Sequence, residues 1–511
     1  MSDQSRSLPG RPSLRYLKLE ARRRLAAGEF PTLHEAQLAI AREHGQPSWT
    51  ALKELIGDSQ PDPEGAALEH VRWVASRFAG AGRPDWSPPG EEELGEHFEE
   101  SFLSRITPRR LVSNFSLLAR GGGLRDEVTV LADRQLFVRA LAGDVQIQAG
   151  TTAEPPHRLR GIVAHRVGDA VTDARVAAPP ADLAGEVPEA AAAVAEEVFG
   201  EFGLPALALA GSRDGTPWEL ARGWSDLDRG EPLSTAHRFP VYTITMAITA
   251  TAVLRLVADG RLDLDGPAND RLRTVRLADD AVTVRDLLSH TDGVDNLRPM
   301  FAETAADPAV LAGSVLACSG ARDTVTIGNG GYAALGTLIA DVTGQPYQDA
   351  AAGLVLGPLG MSSSWFPARW PEAGARAITG YELNKEGSFR PSLAEVGTVA
   401  AALGLWATAA DLVRFGLGWS SLLPAALARE ALRPQARPLG NTMPAAGLGW
   451  SINESRGVAG HAGRGRGAAA SLVMRLDSGQ VYVAMTNRSI PIESVNERVF
   501  RAIAGDPDPA A

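Results

Sequence analysis

Phe239-Pro240-Val241-Tyr242-Thr243-Ile244-Thr245-Met246-Ala247-Ile248-Thr249-Ala250-Thr251-Ala252-Val253-Leu254 is the stretch on which the reading of this chain turns. It reads as a helix that begins at the hydroxyl of Thr243 and presents Met246 one turn later. A helix start favours negative charge, so the position suits an ionising hydroxyl, although the β-methyl of threonine crowds any approach to it. Met246 can only pack. The lysines of the chain are Lys18, Lys53 and Lys385, so no amine lies near this helix in sequence.

With 511 residues the chain has room for two or three domains and at least one large core. A net charge of −11 and a pI near 5.4 disfavour nucleic-acid or anionic-membrane partners and favour small molecules or proteins. Cys318 is the sole cysteine, which rules out an intrachain disulfide and reads as a buried spectator thiol. Met1 to Arg24 has basic residues without an apolar run behind them, and no run reaches membrane-spanning length. A cytoplasmic location is therefore expected, with neither a metal nor a cofactor.

Residues 1–60 read as a helical segment. Leu14, Leu17, Ala21 and Leu25 form one stripe, Leu33, Ala36, Ile40 and Ala41 a second, and Ser48 opens a third helix. A protein partner could dock there. The Pro-containing stretch from Gly57 to Gly65 reads as a linker. Residues 66–172 mix helical signals with alternating strands such as Val128-Thr129-Val130-Leu131 and Val145-Gln146-Ile147, an α+β pattern. His157, His165, Asp126 and Asp133 are its candidate polar groups. Residues 173–189, rich in Ala and Pro, read as a linker, and 190–505 as the main domain.

The main domain carries several signatures in order. They are Gly223-Trp224-Ser225-Asp226-Leu227, Leu287-Leu288-Ser289-His290-Thr291-Asp292-Gly293-Val294, Gly331-Tyr332-Ala333-Ala334-Leu335-Gly336, Pro358-Leu359-Gly360-Met361, Gly404-Leu405-Trp406-Ala407-Thr408 and Gly447-Leu448-Gly449-Trp450. Together they resemble the β-lactamase and penicillin-binding-protein superfamily of serine hydrolases, in its esterase and acyltransferase branch. The resemblance implies an antiparallel sheet flanked by helices, with a helical subdomain beside it and the site in the cleft between. Residues 66–172 resemble more weakly the isomerase- or cyclase-like domain that precedes the lactamase domain in some actinobacterial proteins.

The family writes Ser-x-x-Lys where this chain has Thr243 and Met246, and Tyr-x-Asn where it has Ile327-Gly328-Asn329. Both proton carriers are replaced, while the amide of Asn329 remains. The third element survives as His461-Ala462-Gly463, and the resemblance implies an oxyanion hole from the N–H groups of Thr243 and Arg464. Arg464 and Arg466 add cations near the mouth, and Gly463 lets a ligand approach the strand. The candidate catalytic residues are thus Thr243, His461 and Asn329, with Arg464, Arg466, Gly463, Met246 and Ile327 lining the ligand.

Losing a positioned base typically removes 10²–10⁴-fold in rate, so ordinary lactamase or peptidase turnover is not expected. Two readings stay open. One is a diverged enzyme of secondary metabolism that binds a small carbonyl or carboxylate compound and performs weak hydrolase, transferase or cyclase chemistry. The other is a catalytically inactive pseudoenzyme that binds a ligand or scaffolds a partner. A minority alternative places the chemistry in residues 66–172.

Overall fold

The computed structural model describes residues 24–25, 30, 32–43, 48–49, 63–81, 83, 85–105, 108–120, 124–134, 137–143, 145–152, 157–166, 173–176, 180–213, 215–305, 311–320, 322, 324–371, 376–384, 387–437 and 444–504. The chain divides into two compact units between Val167 and Gly168.

In the first unit, α1 (Leu33–Glu43) is capped by Thr32, whose hydroxyl accepts from the Glu35 N–H, and it buries Ala36, Ile40 and Ala41. The stripe expected from Leu14 to Ala21 lies outside the described residues. Helix α2 (Pro63–Ala79) starts inside the stretch expected as a linker, with its proline in the first turn, where a missing N–H costs nothing. After α3 (Glu91–His97), α4 (Glu100–Arg105) and α5 (Pro108–Arg120), the chain forms an antiparallel meander of β1 (Leu124–Arg134), β2 (Phe137–Gly143), β3 (Val145–Thr151) and β4 (Leu159–Arg166). Val71, Val74, Ala75 and Phe78 of α2 share a core with Val138, Ala140, Ala142 and Ile147 of the sheet.

Asp126 is exposed, so it does not supply a buried acid. His157 is buried at a left-handed φ of 56°, with Nδ1 3.1 Å from Thr152 O, which is a turn-forming role. The side chains of Asp133 and His165 lie outside the described residues. Sequence reading passed over His70 and His97, whose Nδ1 atoms are 2.9 Å apart, with Trp73 stacked on His97 at 3.8 Å between ring centroids.

The second unit is built on a nine-stranded antiparallel sheet. Its strands are β5 (Ala181–Ala184), β6 (Ala206–Arg213), β7 (Thr216–Asp226), β8 (Glu231–Pro232), β9 (Ala445–Ala446), β10 (Ser451–Asn453), β11 (Val458–Gly465), β12 (Ala468–Arg475) and β13 (Val481–Thr486), in the order β9-β10-β11-β12-β13-β6-β7-β5, with β8 also on β7. The stretch expected as a linker, 173–189, therefore contributes a strand. Ala181–Ala184 pairs with β7 in register Ala181↔Arg222 to Ala184↔Glu219, using edge hydrogen bonds that β7 would otherwise leave open.

Alternation along the central strands serves two layers. Leu472 and Val481 face Gly416 of α10 (Ala409–Gly418), whereas Ser471 and Tyr482 face α11 (Ile492–Ala504), where Asn496 donates to Ser471 O and Tyr482 O. Helix α6 (Glu189–Phe202) lies beside α11. The helical layer on the Leu472 face includes α7 (Ile244–Ala258), α8 (Val284–Leu288) and α9 (Gly330–Thr343). No helix among the described residues is long and apolar enough to cross a membrane.

Candidate functional site

Helix α7 is buried continuously from Ile244 to Leu254, as expected of a helix that is apolar and small all round. Its threonines are tied down. Thr245 Oγ1 accepts from Leu405 N at 3.1 Å, Thr249 Oγ1 lies 2.6 Å from Ala401 O, and Thr251 Oγ1 donates to Ala247 O at 2.8 Å. Phe239–Pro240 pairs with Trp406–Ala407 and leads directly into the helix. Between them stands Tyr242, buried at a left-handed φ of 47°, a conformation that costs a non-glycine residue of order 1–3 kcal/mol and clusters at functional sites. Its hydroxyl donates to Arg466 O at 3.2 Å, and its ring meets Phe301 edge-on at 5.7 Å.

Thr243 stands at the N-cap position of α7 and is half-buried against β11, where its hydroxyl donates to Ala462 O at 2.8 Å instead of capping the helix. That bond fixes the phase of the strand. In an antiparallel ladder a residue's N–H and C=O point the same way and alternate residues share a direction, so the Arg464 N–H is directed to the same side as the Ala462 carbonyl. Gly463 makes the approach possible. A Cβ there would lie 2.6 Å from Val241 O and 2.7 Å from Thr243 N. The helix start and the strand are thus in contact through their main chains.

Met246, one helical turn after Thr243, is 1% exposed. His461 is 8% exposed, and its Nε2 is 3.0 Å from Gly449 O. Burial pushes its imidazole down to about 4, so it is neutral near pH 7. Gly449 holds a φ of 80°, and a Cβ there would fall 2.0 Å from that of Ala250, which explains glycine in the Gly-Leu-Gly-Trp signature. His290, also at a left-handed φ (59°), is buried beside Tyr332, with ring centroids 5.0 Å apart. Its Nε2 is buried without a partner among the described residues, and burial pushes it down to about 3.

Two of the expected residues have commitments elsewhere, Asn329 to a loop and Arg466 to a carboxylate. Asn329 stands at the N-cap position of α9 without a side-chain capping bond, and both ends of its amide are used on Leu297: Oδ1 accepts from Leu297 N at 2.8 Å and Nδ2 donates to Leu297 O at 3.0 Å. It therefore clamps a loop rather than presenting a free amide. Ile327 is 44% exposed, an apolar side chain open to solvent. Arg466 lies 3.7 Å from Glu395 and is partly neutralised, whereas Arg464 is exposed and has no ion-pair partner among the described residues. Glu395, Tyr242 and Phe301 were missed from sequence. They come from separate segments, and only the tertiary fold gathers them. No group of three or more metal-ligating side chains occurs among the described residues.

A β-lactamase family model matches residues 190–504, more than half of the chain. The chain is 29% identical over 347 residues to penicillin-binding protein 4 of Amycolatopsis lactamdurans, covering 60% of this chain and 86% of that protein. It is 32% identical over 186 residues to esterase EstB of Burkholderia gladioli, covering 30% of this chain and 45% of the esterase, less than half of that protein's length. Among solved structures, D-amino acid amidase from Ochrobactrum anthropi SV3 is similar with a TM-score of 0.53 at 22% identity, covering 62% of this chain and 99% of that one; this likeness shows the fold. With the ordered signatures, the sheet and the contact of helix start with strand all in place, the chain belongs to the β-lactamase family.

Proposed function

We propose that the cleft beside Thr243 binds a small carboxylate or carbonyl compound and that acyl transfer through Thr243 is slow. The observation that carries this reading is the Thr243–Ala462 hydrogen bond. The hydroxyl gives its hydrogen to an amide carbonyl, which is far too weak a base to remove it, and Met246 offers nothing better. The N–H groups of Thr243 and Arg464 and the Arg464 guanidinium, which has no ion-pair partner among the described residues, still supply donors for an anionic oxygen. The clamped amide of Asn329 favours a second reading, a pseudoenzyme with the same ligand preference and no turnover.

Intact mass after incubation with a fluorophosphonate and a panel of reactive esters separates the two readings. Slow adduct formation that disappears in Thr243→Ala supports the diverged enzyme, and no adduct supports the pseudoenzyme. Rapid nitrocefin or ester turnover would overturn both. Binding is tested by thermal shift with simple carboxylates. A shift that falls in Arg464→Ala and persists in Arg466→Ala is expected, and equal shifts in Arg464→Ala and wild type would remove Arg464 from the site.

A further inference from the structure

His461 carries one hydrogen-bonding atom that neither the fold nor the anion site uses. A carbonyl only accepts, so the contact between Nε2 and Gly449 O places the ring's hydrogen on Nε2 and leaves a lone pair on Nδ1. That lone pair has no partner among the described residues. Because the ring stays neutral through the physiological range, this tautomer is the one a ligand meets.

The position of the ring matters as much as its chemistry. Side chains alternate along β11, so His461 shares a face with Gly463, the residue at which Tyr242 and Thr243 abut the strand. Two residues of strand separate them, about 6.5 Å. His290 adds a second buried ring, close enough to His461 that charge on His461 would disfavour charge on His290, and its Nε2 is also without a partner among the described residues. The two rings are polar and uncharged near neutral pH, and His461 Nδ1 is left as an acceptor.

The geometry points to a substrate class: a carboxylate or acyl compound that bears a neutral hydrogen-bond donor, a hydroxyl or amide N–H, several bonds from its carboxyl carbon, with that donor received by His461 Nδ1. This rests on the carboxylate reading of the Thr243 and Arg464 donors. An apolar group in the donor's place leaves Nδ1 unpaired, and an acceptor-only group such as an ether sets lone pair against lone pair.

Calorimetric titration of the full chain with a rigid series tests the inference: benzoate, 4-methylbenzoate, 3-hydroxybenzoate and 4-hydroxybenzoate. At least one hydroxybenzoate is expected to bind about 3- to 10-fold tighter than benzoate and the methyl analogue, the worth of one neutral hydrogen bond. His461→Leu removes that difference. His461→Gln, whose amide supplies a donor for Gly449 and an acceptor for the ligand, retains part of it. Equal affinities across the series in wild type, or a preference that survives in folded His461→Leu, would overturn the inference while leaving the carboxylate reading intact. No binding by any member would overturn the carboxylate reading and this inference with it.

Discussion

Replacing Gly463 by alanine tests whether the closeness of helix start and strand is what the site is made of. The added Cβ would sit 2.6 Å from Val241 O, 2.7 Å from Thr243 N and 2.7 Å from the Tyr242 Cβ. Two of these atoms are main chain, and the third is the Cβ of a buried tyrosine whose backbone is held at a left-handed φ, so no flexible side-chain end can yield. Helix and strand must separate by several tenths of an ångström. Overpacking of this kind costs about 1–3 kcal/mol, which lowers the melting temperature by roughly 2–10 °C. The same separation pulls the Thr243 and Arg464 N–H groups apart, so carboxylate-induced thermal shifts should vanish even in protein that remains folded. Scanning fluorimetry with and without ligand reads both effects. A Gly463→Ala variant with wild-type melting temperature and undiminished ligand shifts would refute the reasoning.

Gly200, in the body of α6, has open space where a Cβ would go, so Gly200→Ala should stabilise by roughly 0.5–1 kcal/mol; a loss of stability in urea unfolding would contradict that. Burial pushes the Asp292 carboxyl from 3.8 to about 6, so between those values the folded state holds the extra proton and stability falls as pH rises. Asp292→Asn should therefore gain on wild type by up to about 2–3 kcal/mol at pH 8 and much less near pH 4, and a gain independent of pH would reject the assignment. His461 and His290 act in the opposite sense. Their folded values of about 4 and about 3 lie below the ordinary 6.5, so their contribution is complete above 6.5 and is lost as pH falls through about 4. In an Asp292→Asn background, unfolding free energy should drop between pH 6.5 and 4, and a flat profile would show that these imidazoles are not buried as described.

Residue identity and order sufficed for the domain around Thr243 because its turns impose requirements that leave marks in sequence. Gly449 cannot carry a Cβ against Ala250, and the helix behind Thr243 is apolar and small because it is buried throughout. The edge strand Ala181–Ala184 left no such mark. It has no β-branched residue and becomes a strand through pairing with β7, a tertiary effect that local propensity does not register. Hydrogen-bond commitments were equally hidden. That Asn329 would spend its amide on Leu297, and that Arg466 would lie beside Glu395, depends on segments brought together only by folding.

The main-chain contact between Thr243 and β11 bears on how such a protein can change over time. A peptide N–H is present whatever side chain its residue bears, proline excepted. Donors of this kind are inherited with the fold and are untouched by exchanges at the side-chain level. Position 243 can trade serine for threonine, and position 246 lysine for methionine, without erasing the two N–H groups. In such a scaffold, reactivity and recognition are written in separate scripts, so the first can be lost, or rewritten around a residue such as His461, while the second persists.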